Sequence, residues 1–149
     1  MEKYFKELDV SSLSGKTIIV DIDGTITTDG SLDFDELIFS KLQKMAEANS
    51  VFLFSNNRLL KRNDTLARQL QIPLLETSFR KPNKKVIKDL PVNLKNDLVV
   101  VGDKAFIDGI FASNIKAEFI KVKRLTSKND KLITKLIYKL DDIVSGLFC

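Results

Sequence analysis

Two aspartates that lie two residues apart end an apolar run near the start of the chain. Residues 17–20, Thr-Ile-Ile-Val, have the composition of a strand that is buried on both faces of a parallel sheet. Asp21 and Asp23 follow, and Gly24 allows the backbone to turn sharply away from the strand. Carboxylates at the carboxyl end of a central parallel strand lie where open α/β sheets bind their ligands. The same residues also suit a turn that only ends a strand, so other parts of the chain must decide between the two interpretations.

Two later apolar runs, which we interpret as strands, also end in polar side chains. Ser55 follows one of them and Asp103 follows the other. Because the carboxyl ends of parallel strands share one edge of the sheet, we expect these side chains to lie near Asp21. Asp108, in the first turns of the next helix, and Lys81, in a loop, are expected on the same side.

This group would bring together four carboxylates, those of Asp21, Asp23, Asp103 and Asp108, which repel one another unless cations neutralise them. A divalent cation together with Lys81 would supply that charge. The chain has no His and its single Cys is the last residue, so His-ligated zinc and Ser-His-Asp or Cys-His catalysis are excluded. Oxygen ligands favour Mg²⁺, which completes its coordination with water and substrate phosphate. The expected substrate is therefore a phosphate ester.

The same side chains have the chemistry that phosphoryl transfer requires. One carboxylate can attack phosphorus and form an aspartyl-phosphate, which divides a difficult transfer into two easier steps. A second carboxyl group can protonate the leaving oxygen and later deprotonate the water that resolves the intermediate. Ser55 and Lys81 can hold the phosphoryl oxygens as charge redistributes in the transition state.

Structural interpretations of these residues stay open at this point. Ser55 could cap the next helix, and Asp108 could be a first-turn carboxylate that the helix dipole favours. Lys84 or Lys85 could replace Lys81 as the phosphate contact. Because the residues occur together and in a set order, we favour the functional interpretation.

Strands and helices alternate along the chain, which predicts a single doubly wound α/β domain over residues 1–149. Pro73 marks one strand as an edge of the parallel sheet. Asp33 and Glu36 resemble a capping box at the start of the first helix. The strands are expected at residues 17–20, 51–54, 72–75, 98–101 and 119–122, and the later helices at 59–70, 84–90, 105–113 and 128–147.

The last predicted helix carries a stripe of apolar residues. We expect this stripe to pack onto the sheet, and a surface for a cofactor or partner is the alternative. Its residues are Leu132, Ile133, Leu136, Ile137, Leu140, Ile143, Val144 and Leu147.

Composition is typical of a soluble globular protein, with 44% hydrophobic and 30% charged residues. No run approaches the roughly 18 consecutive apolar residues of a membrane span. The charged N-terminus is not expected to be a secretory signal and the single Cys149 suits a reducing compartment, so we expect a cytoplasmic location. Residues 58–97 carry 10 basic and 4 acidic side chains, which could attract an anionic partner or form a solvated surface.

The chain resembles the phosphatases of the haloacid dehalogenase superfamily in four ordered motifs, which extend over about residues 16–125. The motifs are Asp-x-Asp-Gly-Thr at 21–25, Ser55, Lys81 and Gly-Asp-x-x-x-x-Asp at 102–108. The resemblance implies a Rossmann-like sheet of five parallel strands in the order 3-2-1-4-5. The short gaps between the motifs leave no room for a cap domain, so the site is expected to be open or closed over by another subunit of an oligomer.

This resemblance also implies roles for individual residues. Asp21 would be the nucleophile and Asp23 the general acid and base, and Mg²⁺ would be held by Asp21, the Asp23 carbonyl and Asp103. Asp108 would orient water or Lys81. The residues expected to bind the substrate are Ser55, Asn56, Lys81 and Asp108.

Further positions are similar to the small class IIIA branch of the superfamily, which includes phosphatidylglycerophosphate phosphatases. Gly24 and Lys104 depart from it, because that branch usually has Asn and Gln there. The similar positions are Ser-Asn-Asn at 55–57, Lys81-Pro82, Gly102-Asp103, Asp108-Gly109 and Ser113-Asn114.

The sequence therefore predicts a Mg²⁺-dependent phosphomonoesterase that acts through Asp21 on a phosphorylated substrate. A lipid phosphate, a sugar-acid phosphate and a polynucleotide 3′-phosphate stay open, and the turn from Thr25 to Gly30 is similar to that of sugar-acid phosphatases. The alternative is a non-catalytic module that binds an anionic membrane through its basic residues and lies at the membrane periphery. Nucleic acid is the less favoured partner.

Overall fold

Four parallel strands form the central sheet of the protein. The computed structural model describes residues 2–128 and 130–148. Its strands are β1 (Thr17–Asp21), β2 (Ser50–Phe54), β3 (Leu98–Gly102) and β4 (Glu118–Lys121), in the spatial order β2-β1-β3-β4. The predicted α/β architecture with a parallel sheet is confirmed, and it is Rossmann-like.

The sheet has four strands, so the prediction of five was wrong. The segment expected as the third strand, residues 72–75, forms only an isolated parallel bridge between Leu74 and Leu53. The Leu53 N–H donates to the Pro73 carbonyl at 2.9 Å, and the Leu75 N–H donates to the Leu53 carbonyl at 2.8 Å. Pro73 has no N–H to donate, which keeps this contact from growing into a ladder. The segment still lies beside β2, where the order 3-2-1-4-5 placed it.

Apolar side chains cover both faces of the sheet. Successive residues of β1 alternate between the faces, so that Ile18 belongs to one core cluster and Ile19 to the other. The first face is covered by α1 (Glu36–Ala48) and α2 (Leu60–Leu70), and the second by α3 (Ile110–Asn114). Because β1 and β3 are buried throughout, their carboxyl ends are held rigidly.

The helical segments differ in detail from the predicted ones. α1 begins after Asp35, whose carboxylate accepts a hydrogen bond from the Leu37 N–H, and not at Asp33. The helix expected at 84–90 is a shorter 3₁₀ turn, Lys84–Ile87, and Pro91 disfavours helical backbone at Leu90, where the helix was expected to end. The helix expected at 105–113 begins as a π-helical turn, Ala105–Gly109, which leads into α3.

The last helix, α4 (Leu132–Phe148), buries a polar side and exposes its apolar stripe. Tyr138 and Asp141 are buried, and the Asp141 carboxylate accepts hydrogen bonds from the backbone N–H groups of Ala105 and Phe106. These polar contacts fix which side of α4 faces the protein, so the favoured prediction that the stripe packs onto the sheet was wrong. The exposed apolar face of α4 consists of Leu132, Ile133, Leu136, Ile137, Leu140 and Ile143.

Two further expectations concern membrane-spanning helices and the single cysteine. Among the residues that the structure describes, no helix combines the length and the apolar character needed to cross a membrane. Cys149 lies outside the described residues, as does the side chain of Leu147.

Candidate active site

Three aspartates converge at the carboxyl edge of the sheet. Asp21 ends β1, Asp103 follows β3, and Asp108 lies in the π-helical turn after it. Each offers a carboxylate oxygen within 4.8 Å of the others, and none is more than 5% exposed. These residues form the carboxylate cluster (Asp21, Asp103 and Asp108). The predicted convergence is confirmed for these three aspartates, but the expectation that the Asp23 carboxylate joins them was wrong, because Arg62 and Ser55 bind it instead.

A cavity of about 240 Å³ opens beside the cluster. Ser55 and Asn56 line it from the end of β2, and Ile137 lines it from α4. The charged residues that line it include Asp21, Asp23, Lys81, Lys104 and Asp108.

Gly24 allows the turn after β1 to pack directly against the Asp103 carboxylate. Its φ angle of +84° is one that side-chain-bearing residues rarely adopt. A Cβ at this position would lie 2.6 Å from the Asp103 Oδ2. The turn after β1 therefore needs glycine for both its backbone angle and its close approach to Asp103.

Lys81 lies buried between two members of the cluster. Its Nζ donates to the Asp21 Oδ1 at 2.8 Å and to the Asp108 Oδ1 at 2.6 Å. Burial alone would lower the pKa of Lys81, but the carboxylates of Asp108 and Asp21 raise it above the ordinary value. The ammonium is therefore charged at neutral pH. Lys84 and Lys85, the alternative phosphate contacts, are exposed.

Asn56 holds the loop that carries Lys81. Its Oδ1 accepts from the Lys81 N–H at 2.8 Å, and its Nδ2 donates to the Lys81 carbonyl at 2.9 Å. These two bonds mimic a strand pair and fix the backbone from which the lysine side chain projects. The structure thus gives Asn56 a positioning contact, and its predicted contact with substrate stays a prediction.

Burial raises the pKa values of the two carboxylates that Lys81 contacts. Burial raises the pKa of Asp21 above its ordinary value, although Lys81 and Lys104 oppose that shift. Burial likewise raises the pKa of Asp108, and the nearby charge of Asp21 adds to it. The pKa of each carboxylate thus stays above its ordinary value, although the charges of Lys81 and Lys104 oppose the effect of burial.

Asp23 points away from the cluster and towards α2. Arg62 donates to its Oδ1 and Oδ2 at 2.8 and 2.7 Å, the Ser55 hydroxyl donates at 2.7 Å, and the Gly30 N–H donates at 2.8 Å. Burial alone would raise the pKa of Asp23, but the hydrogen bonds from Arg62, Gly30 and Ser55 outweigh it and lower the pKa. Asp23 is therefore ionised at neutral pH.

Ser55 is tied to Asp23 and does not cap α2. Its Oγ accepts from the Asn57 N–H at 3.0 Å while its hydroxyl donates to Asp23. The N-cap of α2 is Leu59, which has no side-chain cap. The helix-cap interpretation of Ser55 was therefore wrong, and its predicted phosphate contact stays a prediction.

Lys104, the residue directly after Asp103, places its ammonium group next to the carboxylate cluster. Its Nζ lies 3.3 Å from the Asp103 Oδ1, 3.3 Å from the Asp23 carbonyl oxygen and 4.0 Å from the Asp21 Oδ2. Burial alone would lower the pKa of Lys104, but Asp21, Asp103 and Asp108 raise it. The three groups that it contacts are those expected to hold Mg²⁺.

Arg124 neutralises Asp103 from the other side. Its Nε donates to the Asp103 Oδ2 at 2.8 Å, and its Nη2 donates to the Asp141 Oδ2 at 3.0 Å. The guanidinium lies 4.2 Å from the centre of the Tyr138 ring, a cation–π arrangement. Arg124 thereby joins the carboxylate cluster to α4.

The acidic residues of the site can be predicted from the sequence, but most of their cationic partners cannot. Only Lys81 was assigned as a counter-charge, and Lys104 was noted only as a departure from the class IIIA pattern. Arg62 on α2 and Arg124 in the segment between β4 and α4 lie far along the chain from the aspartates that they contact. No spacing rule reports such long-range pairs, whereas the position of Lys104 beside Asp103 was a usable signal.

The donor set fits a hard divalent cation. The cluster supplies only carboxylate oxygens, the Asp23 carbonyl adds another oxygen, and Mg²⁺ prefers such ligands. Asp21, Asp103 and the Asp23 carbonyl would hold the ion as predicted, with Asp108 as the third carboxylate nearby. Lys104 would then have to leave these oxygens, because an ammonium and a metal ion cannot share them.

Comparison with protein-family models gave no match, and a search of curated proteins found no relative. The assignment of function therefore depends on the arrangement of the side chains.

Proposed function

We propose that this protein is a Mg²⁺-dependent phosphomonoesterase of the haloacid dehalogenase type, with Asp21 as its nucleophile. The observation that supports this best is the surroundings of the Asp21 carboxylate. Asp21 ends β1, one of the two interior strands of the sheet, lines the cavity, and has its Oδ1 2.8 Å from the Lys81 Nζ. A buried carboxylate that accepts a hydrogen bond from a lysine ammonium and faces a cavity has the properties of a nucleophile for phosphorus.

In the first step the Asp21 carboxylate attacks the phosphorus of the ester and displaces the alcohol oxygen. Lys81 and the Ser55 hydroxyl, which both line the cavity, hold the phosphoryl oxygens while the charge moves. The leaving oxygen takes a proton from the Asp23 carboxyl group and departs as an alcohol, and Asp23 regains a proton from the water of the second step. In the second step water attacks the aspartyl-phosphate, which releases phosphate and restores the carboxylate of Asp21.

In its ionised state, Asp23 is suited to the second step. As an ionised carboxylate that lines the cavity, it can accept a proton from the attacking water. To act as an acid in the first step it must carry a proton, which requires its bonds to Arg62 to loosen. We therefore infer that substrate entry separates Asp23 from Arg62.

Mg²⁺ bound by Asp21, Asp103 and the Asp23 carbonyl would offset the repulsion between an anionic nucleophile and an anionic phosphate. Without it, the chain's own cations must neutralise the cluster.

The exposed apolar face of α4 favours a substrate at an anionic membrane surface. The face includes Ile137, which also lines the cavity, and Lys135 and Lys139 are exposed beside it. An amphipathic helix with lysines beside an apolar face can lie in a membrane interface. A phosphorylated headgroup would then reach Asp21 without leaving the surface, and the protein would be peripheral to the membrane.

A non-catalytic module is the second candidate, and one observation favours it. Each of the four aspartates at the site has a cationic partner within the chain: Lys81, Lys104, Arg62 and Arg124. A site that is neutralised internally can be stable without turning over a substrate.

Hydrolysis of a generic aryl phosphate separates the two candidates. The wild-type protein should hydrolyse it with Mg²⁺, and Asp21→Asn should abolish turnover while it keeps the fold. Asp89→Asn is the matched control, since Asp89 is exposed and away from the cavity. Full activity in Asp21→Asn would reject the proposal, and no turnover of any member of a panel of lipid, sugar-acid and 3′-polynucleotide phosphates would favour the module.

A further inference from the structure

We propose that the Lys104 ammonium group occupies the place where Mg²⁺ is expected to bind, and that it competes with Mg²⁺ for the oxygens there. This inference takes the location of the metal from the proposed function, and its test measures metal binding and not turnover. It follows from the place of one ammonium group among three oxygen groups.

The contacts of Lys104 coincide with the expected coordination of the metal. Its Nζ is 3.3 Å from both the Asp103 Oδ1 and the Asp23 carbonyl oxygen, and 4.0 Å from the Asp21 Oδ2. An exposed lysine would gain little from contacts with these oxygens, because water already solvates its charge. The side chain is only 16% exposed, so these oxygens replace most of its hydration.

The position of Lys104 in the chain makes it an effective competitor. It follows Asp103 directly, so its ammonium stays near the carboxylates at a high effective concentration. Mg²⁺ from solution must displace it before the ion can contact the same oxygens. Removal of the ammonium leaves the carboxylates with one positive charge fewer, which strengthens their attraction for a divalent ion.

Displacement has a destination within the same cavity. Lys104 lines the cavity together with Lys81, and the Lys104 Nζ lies 5.2 Å from the centre of the Tyr138 ring. Because that ring contact exists while Lys104 contacts the carboxylates, a displaced ammonium can keep it and contact an anion in the cavity. A phosphate in the cavity would accept the released ammonium, so phosphate and Mg²⁺ should each promote binding of the other.

Isothermal titration of Mg²⁺ alone, in phosphate-free buffer, tests the competition. Lys104→Gln should bind Mg²⁺ about tenfold or more tightly than the wild-type protein, as expected when a competing charge is removed from a partly buried site. Lys104→Arg should bind no more tightly than wild type, because it keeps the charge. Lys61→Gln, a change of the same kind at an exposed position on α2, should match wild type.

A second measurement uses the wild-type chain alone and does not depend on how well a variant folds. Acetic anhydride modifies free amines, and mass spectrometry reports the extent of modification at each lysine. Mg²⁺ should increase modification of Lys104 and leave that of Lys61 unchanged. Unaltered modification of Lys104 at saturating Mg²⁺ would overturn the proposal.

The outcomes distinguish this inference from the proposed function. Equal Mg²⁺ affinity in wild type and Lys104→Gln overturns the role of Lys104 and leaves the metal site intact. If neither protein binds Mg²⁺, both the competition and the metal dependence of the proposed function are wrong. Turnover that is lost in Asp21→Asn, with tight Mg²⁺ binding in Lys104→Gln, supports both.

Discussion

Arg62 donates hydrogen bonds to both carboxylate oxygens of Asp23, at 2.8 and 2.7 Å. Both side chains are less than 10% exposed, so each is the main counter-charge of the other in a poorly hydrated place. The pair ties α2 to the turn after β1 and sets the direction in which Asp23 points. Its removal should therefore change both stability and the titration of Asp23.

Arg62→Gln should lower the free energy of unfolding by about 3–5 kcal/mol at neutral pH, because it leaves Asp23 ionised and buried without its partner. The pKa of Asp23 lies below its ordinary value, so the pair stabilises the fold above the unfolded pKa and loses that effect as the pH falls. The difference between wild type and variant should thus narrow as the pH falls below about 4.

Urea unfolding at a series of pH values measures this difference. Arg68→Gln is the matched control, because Arg68 lies on the same helix in an exposed ion pair with Asp64. It should have little effect at any pH. A destabilisation by Arg62→Gln that stays constant as the pH falls would contradict the expected link to Asp23.

Gly24→Ala and Gly15→Ala separate backbone strain from steric crowding at the site. Both glycines have positive φ angles, +84° and +68°, but only at Gly24 would a Cβ meet another atom, the Asp103 Oδ2. Gly15→Ala should cost about 1–2 kcal/mol of stability, the usual penalty of left-handed backbone. Gly24→Ala should cost more and weaken Mg²⁺ binding, since Asp103 must move. Equal thermal shifts and equal Mg²⁺ affinity in both variants would argue against the crowding.

Lys81→Gln should lower kcat/KM for an aryl phosphate by about 10²–10³-fold, the usual loss when a charged contact to a transition state is removed. Lys81 is buried on Asp21 and Asp108, whereas Lys84 is exposed. Lys84→Gln should therefore keep wild-type kinetics. Steady-state assays of both variants, with circular dichroism to confirm folding, test the choice. Loss of activity in Lys84→Gln alone would show that the wrong lysine was assigned.

Leu136→Glu should weaken binding to vesicles of phosphatidylglycerol and phosphatidylcholine, because it places a negative charge in the exposed apolar face of α4. Leu37→Glu is a close control, since Leu37 on α1 and Leu136 on α4 are both 56% exposed. Vesicle sedimentation measures the binding, and hydrolysis of a soluble aryl phosphate should be the same in both variants. Equal vesicle binding of the two variants would remove α4 from the proposed membrane contact.

The sequence allowed the sheet and its acidic edge to be predicted because both have local signals. Apolar runs mark the buried strands, and a parallel sheet aligns their carboxyl ends, so Asp21 and Asp103 converge for topological reasons. Pro73 predicts an edge strand, but because it lacks an N–H the segment forms only a single bridge to β2.

The partners of the aspartates could not be predicted in the same way. Arg62 meets Asp23 because α2 packs beside the turn after β1, and that packing depends on the whole core. The stripe on α4 shows a similar limit, since periodicity identifies an apolar face but not the surface that will cover it. Asp141 determines that choice, through hydrogen bonds to a backbone turn at residues 105–106.

Capture of the phosphorylated enzyme tests the role of Asp21 most directly. Wild-type protein mixed with Mg²⁺ and a ³²P-labelled phosphate ester, then quenched in acid, should yield a labelled peptide with the phosphoryl group on Asp21. Asp21→Asn should yield none. A label on any other residue, or rapid hydrolysis by Asp21→Asn, would contradict the assignment of Asp21 as the nucleophile.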